Sequence, residues 1–221
     1  MALRLQRFAL LAVVGAVAAG SAACSTSGFT YVKNTGEGAY FKVPDDWKLY
    51  KLDPNSLPDD RPFFDPGTGA TPVEGPWRVV FDADQKPDVT HLEDEVPEAI
   101  VGQAEVSPID ASVRDQVSNI DLRALALDGT ADPIALYQQG STDIEIVRYE
   151  SLTTGEGLRG NRIVLNKLVN GSYVTIDQIA LVDPGTTTLY RFLVKCSSKC
   201  YLQHRSEIDA VVDSWQIRKK S

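Results

Sequence analysis

At 221 residues, with 43% hydrophobic and 24% charged side chains, the chain has the size of one ordinary domain, and no shift of composition divides it into two self-sufficient halves. Its formal net charge of −8 excludes a nucleic-acid binder driven by phosphate contacts, and it sets the surface as a whole against anionic lipid headgroups.

Residues 1–23 stand apart. Arg4 and Arg7 precede an apolar run over 8–19, which is too short to span a bilayer and ends in the small residues Gly20, Ser21, Ala22 and Ala23. This is the pattern of a secretion signal, and removing its two arginines takes the charge from −8 to −10. Ser21-Ala-Ala-Cys24 resembles a bacterial lipobox, in which the thiol is acylated and the chain is cut just before it. The match departs at Ser21, where an aliphatic residue is usual, so simple cleavage after Ala23 is the competing reading. Cysteine parity favours acylation. The chain has three cysteines, and a pair formed by two of them leaves the third as an exposed thiol in an oxidising compartment unless it is modified. The expectation is a lipid anchor at Cys24, a linker over 24–28, and a single domain over 29–221.

Alternating patterns predict a hairpin of strands over 29–34 and 39–43 around Thr35-Gly-Glu-Gly38, with Trp47 plugging the core after Pro44. Residues 53–76 carry six prolines and no periodicity. They read as a long irregular loop whose adjacent Phe63 and Phe64 either tether it to the core or, with Arg61, form a binding tip. A strand is expected over 77–82 and then an acidic, solvated connection. A further strand within 96–106 is confined to an edge or a strand start by Pro97. Ser112 and Asp115 suggest a capping box that opens a helix with Val113, Val117, Ile120, Ala124 and Leu127 on its apolar stripe, closed by Gly129. Asp132-Pro133 opens a second helix that stops at Gly140.

After Gly140 the period drops to two. Four strands over 143–152, 158–169, 172–182 and 187–196 are joined by short turns, of which Asn170-Gly171 is the clearest, so neighbours pair antiparallel. The last strand is apolar on both faces and so central. A helix with Ile208, Val211, Val212 and Trp215 on one stripe follows it. Cys196 and Cys200 sit between the two, placed for a short disulfide. The fold class is α+β, an antiparallel sheet with helices packed on it.

Motifs of chemistry are few. Gly155-Glu-Gly157-Leu-Arg-Gly160 spells the dinucleotide fingerprint, but a strand follows where a helix is required, so it reads as a hairpin loop. His91 and His204 lie in charged, surface-like sequence; two cysteines do not make a zinc site, and the clustered acids lack the spacing of a calcium loop. No catalytic residue, metal or cofactor is expected.

Tyr40-Phe-Lys-Val-Pro44-Asp-Asp-Trp47, together with Cys196-Ser-Ser-Lys-Cys200 running into Glu207-Ile-Asp-Ala-Val-Val-Asp-Ser-Trp215, resembles actinobacterial envelope lipoproteins of the PsbP-like fold. The resemblance implies an α/β/α sandwich around an antiparallel sheet. It also implies a role in binding other proteins, since the group includes extrinsic photosystem subunits and a binding partner of a nuclear-transport GTPase. A fold carries no reaction by itself. The expected function is thus a non-enzymatic envelope lipoprotein that is held to the membrane by its anchor and binds a protein partner. The alternative is a carrier for a small amphiphile between sheet and helix, which an apolar cavity would favour, and a hydrolase is a distant third.

Overall fold

A computed structural model describes residues 28–52 and 77–218. Cys24, Arg61, Phe63 and Phe64 therefore lie outside the described residues. Among the described residues, ten strands build two antiparallel sheets, accompanied by four α-helices. Strands β1 (Phe29–Asn34) and β2 (Ala39–Pro44) form the expected hairpin, and β10 (Gln216–Ile217) completes a small sheet of order β1-β2-β10. The main sheet has seven strands in the order β3-β4-β5-β9-β8-β7-β6. Its members are β3 (Lys48–Leu52), β4 (Trp77–Asp82), β5 (Val101–Pro108), β6 (Ile144–Thr153), β7 (Arg159–Val169), β8 (Ser172–Val182) and β9 (Thr188–Ser197). The α+β class is as the sequence predicts, and β9 is the central strand.

The front face of the main sheet carries Phe81, Phe192, Asp177 and Arg162. It is covered by the small sheet and by α3 (Ser198–Gln203) and α4 (Arg205–Val212). Phe41 lies 5.3 Å from Phe192, Phe192 lies 5.2 Å from Trp215, and Trp47 stacks on Phe81 at 5.8 Å, so the expected plug is in place. Gly102 is required here, because a Cβ on it would fall 2.3 Å from the Leu193 carbonyl oxygen and 2.5 Å from the Phe81 ring.

The back face is covered by α1 (Asn119–Ala124), which continues as a 3₁₀ turn over Leu125–Leu127, and by α2 (Pro133–Gln138). Here buried sheet side chains satisfy helix carbonyls. Gln178 Nε2 donates to the Leu122 carbonyl at 3.1 Å and Arg191 Nη2 to the Leu125 carbonyl at 2.7 Å, which completes acceptors that a helix end leaves open. With helices on both faces, the molecule has the layering that the resemblance implies.

Several expectations shift. The working helix cap is Ser118 with Asp121, not Ser112 with Asp115, and the residues over 114–116 form only a 3₁₀ turn. Val113, Val117, Ala124 and Leu127 are buried as expected, but Ile120 is 52% exposed at the first turn of the shorter helix and Leu122 is buried in its place. The strand after Pro97 begins at Val101 and is internal, between β4 and β9, so the proline precedes it rather than confining it to an edge. The single C-terminal helix is two, broken at His204, and Trp215 lies beyond the second. Asp132 and Gly140 bound α2 as expected, and Asn170 and Gly171 turn with φ of 50° and 81°.

Candidate functional site

Where β6 and β7 run out from under α3 and α4, the front face opens into a groove of about 460 Å³. Its floor is made by side chains that strand alternation forces inward. Arg162 of β7 faces the same side as Asp177 of β8, and both are buried. Arg162 Nε and Nη2 donate to the two Asp177 oxygens at 3.0 and 2.7 Å, and its remaining donors reach Asp209 on α4 at 3.4 Å and Asp213, the residue that caps its C-terminus, at 3.1 Å. The Tyr201 hydroxyl of α3 donates to Asp177 at 3.0 Å. The guanidinium thus ties β7 and β8 to α4, in the bidentate geometry that suits a carboxylate, and Asp177 in turn holds α3 through Tyr201.

Burial raises the Tyr201 hydroxyl well above its ordinary range, and the adjacent Asp177 adds to this. Burial opposes the charge of Arg162, yet Asp177 outweighs it and holds the guanidinium above its ordinary value. Both groups therefore keep their protons at neutral pH. Farther along the floor, the Thr175 hydroxyl donates to Asn166 Oδ1 at 2.7 Å with Ser198 Oγ 2.8 Å away, and Asn166 Nδ2 donates to Glu145 at 2.7 Å. The groups on the floor hold one another, which suits a rigid surface rather than proton transfer.

The rim is different in kind. Leu202 on α3 is 72% exposed, and Val147 on β6 is 53% exposed. Val147 is the extra residue of a bulge, since pairing with β7 shifts between Ile146 and Arg148. β6 is also an end strand of the sheet, so the groove lies beside a free row of backbone donors and acceptors. Val164 of β7, Arg148 and Arg205 complete the lining.

Cys196 and Cys200 are paired, with Cα atoms 6.0 Å apart, and fix the end of β9 to α3. His204 lies 3.2 Å from Glu207 and is exposed, as the sequence suggests. His91 is not a free surface histidine, for its Nδ1 meets Asp82 at 2.7 Å. Sequence periodicity missed the ionic floor, although the signal was present. Arg162 and Asp177 interrupt apolar strand runs at inward positions, and a charge there requires a partner.

No protein-family profile and no curated protein matches the chain. Solved structures do resemble it. The solution structure of cyanobacterial PsbP (CyanoP) from Synechocystis sp. PCC 6803 is 15% identical, covers 94% of this chain and 99% of its own, and has a TM-score of 0.47. LpqN, a protein of Mycobacterium tuberculosis described as involved in cell envelope biogenesis, is 16% identical over 86% of this chain and 91% of its own, with a TM-score of 0.43. The Saccharomyces cerevisiae Ran-binding protein Mog1p is 10% identical over 87% and 96%, with a TM-score of 0.42. All three scores fall below one half, and the antiparallel α+β architecture stands on the strand order itself.

Proposed function

We propose that this protein is an actinobacterial envelope lipoprotein, anchored through Cys24, that acts without catalysis as a binding module for a protein partner. The observation that carries the binding role is the groove, in which exposed apolar side chains rim a rigid polar floor beside a free strand edge. That order of polarity fits a polypeptide, which can offer apolar side chains to Leu202 and Val147 and backbone groups to β6. The charge on the groove floor, Arg162 above all, weighs against an amphiphile carrier, which needs an apolar interior to receive a hydrocarbon chain. Arg61, Phe63 and Phe64 are proposed as a second set of contacts. In sequence they fall between β3 and β4, strands at the other end of the seven-stranded sheet from β6.

A photo-crosslinking residue placed at Leu202 in cells is expected to yield a protein adduct that Val147→Asp abolishes, whereas the same probe at Tyr137 yields none. An adduct of lipid mass at Leu202 would transfer the function to the carrier reading. For the anchor, Cys24→Ala is expected to release the protein from the membrane or leave its signal uncleaved. Retention of a normally processed mutant would refute anchoring.

A further inference from the structure

The inner side of the small sheet packs Val32, Phe41 and Val43 into the core, so strand alternation turns the opposite set of residues to solvent. That outward set is aromatic and basic. It consists of Phe29, Tyr31 and Lys33 on β1, Tyr40 and Lys42 on β2, and Arg218 just past β10, and none of these six is buried. No acid occupies a strand position on this face. Glu37 lies at the hairpin turn, where its charge is felt by Tyr190 of the main sheet, and Asp45 and Asp46 lie in the turn beyond the opposite end. Tyr31 is 61% exposed, and Lys42 Nζ sits 4.2 Å over the Phe29 ring. In sequence, Arg218 is followed by Lys219 and Lys220.

A concentrated cationic and aromatic face on a chain of net charge −8 is a local exception that net charge conceals. Its position supplies the reason. Cys24 lies four residues before Gly28, and four residues of chain reach at most about 14 Å. An anchor at Cys24 therefore keeps Gly28, where the described domain begins just before β1, within that distance of the bilayer surface. Tyrosine and phenylalanine favour the headgroup region, and lysine can lay its alkyl stem along the interface while its ammonium meets lipid phosphate.

We propose that the outer face of the β1-β2-β10 sheet docks on an anionic lipid surface, so that the anchored domain stands with this sheet on the membrane. The proposal rests on the anchor reading only for where the membrane lies. It corrects, for this one face, the expectation that the acidic chain is repelled by anionic headgroups.

The test is hydroxyl-radical oxidation of the envelope-purified mature protein on vesicles, comparing Tyr31 with Tyr137, which is 52% exposed and lies on α2. If Cys24 proves unmodified, the same protein is coupled through that thiol to a maleimide lipid, so failure of the anchor is seen separately from failure of the face. On an equal mixture of phosphatidylcholine and phosphatidylglycerol, Tyr31 oxidation is expected to fall at least about fivefold relative to Tyr137, the weight of one basic side chain at an anionic surface. The protection is expected to vanish on phosphatidylcholine alone and in the Lys33→Glu/Lys42→Glu variant. Equal oxidation on both kinds of vesicle overturns the proposal. So does protection that appears only when envelope proteins are added, which would assign the face to an acidic protein partner.

Discussion

The front face of the main sheet is filled in two ways. Toward β4, β5 and β9 the space under the covering layer is packed with Phe81, Phe192, Phe41 and Trp215. Toward β7 and β8 the same space holds Arg162, Asp177 and Tyr201. Aromatic rings pack in many directions and can close a layer completely, whereas a buried guanidinium stays only where carboxylates meet it in a fixed geometry. The aromatic end is sealed. The ionic end positions α3 and α4 by direction rather than by volume, and it stops at a groove.

If that contrast is right, the two ends should respond differently to truncation. Phe192→Ala is expected to cost about 3–5 kcal/mol, measured by denaturant unfolding, because the ring contacts Phe41, Phe81 and Trp215 and no neighbour can fill its volume. A cost under about 1 kcal/mol would mean that the layer collapses freely and is not tightly packed.

The ionic end should fail by stranding a charge. Asp177→Ala leaves Arg162 buried beside only the Asp209 and Asp213 carboxylates, and about 3 kcal/mol of destabilisation is expected. Arg162→Met combined with Asp177→Leu should recover most of that loss, since an apolar pair incurs no desolvation penalty. If the double variant is as unstable as the single, the network contributes stability through its geometry rather than merely avoiding a penalty.

The disulfide lies between the two regimes, with Cys196 in the aromatic core cluster and Cys200 on the helix that carries Tyr201. Closing so short a loop constrains little of the unfolded chain. Reduction is expected to cost about 2 kcal/mol, which for a domain of this size lowers Tm by roughly 4–8 °C. Native-state alkylation should leave both thiols unmodified until a reductant is added.

The aromatic end was legible in the sequence and the ionic end was not, for a physical reason. Period-two alternation reports which positions face inward, so Phe192 and Val194 on β9 or Ile163 and Leu165 on β7 declare a core without knowledge of their partners. Arg162 declares only that it needs an acid. Asp177, Asp209 and Asp213 lie 15, 47 and 51 residues away, a separation that only the folded topology resolves. The same limit hid β3 and β10, short strands whose pairing depends on partners elsewhere in the chain. The basic outer face of β1 and β2 was hidden differently. Lys33, Lys42 and Arg218 are brought together by β2 pairing on both sides, while the net charge of the whole chain points the other way.

The smallest effect should come from an ion pair that water can reach, the counterpart of the buried one. His91 Nδ1 meets Asp82 Oδ2 at 2.7 Å, while Asp82 also accepts the backbone N–H groups of Asp84 at 2.8 Å and Asp88 at 2.9 Å. The pair thereby pins the acidic connection to the end of β4. The hydrogen bond to Asp82 raises the imidazole above its ordinary 6.5, with the charges of Asp82, Asp94 and Asp84 adding to the shift and burial opposing it. Protonated His91 is thus favoured in the folded state. Its contribution is complete below the ordinary imidazole value and disappears as pH rises through the raised one. The urea midpoint of the wild type is therefore expected to fall slightly as pH is raised from below 6.5 to weakly alkaline values. His91→Gln should flatten that part of the profile. Parallel profiles for wild type and His91→Gln would show that the pair adds nothing to the folded state, so that of the two ion pairs only the buried one matters.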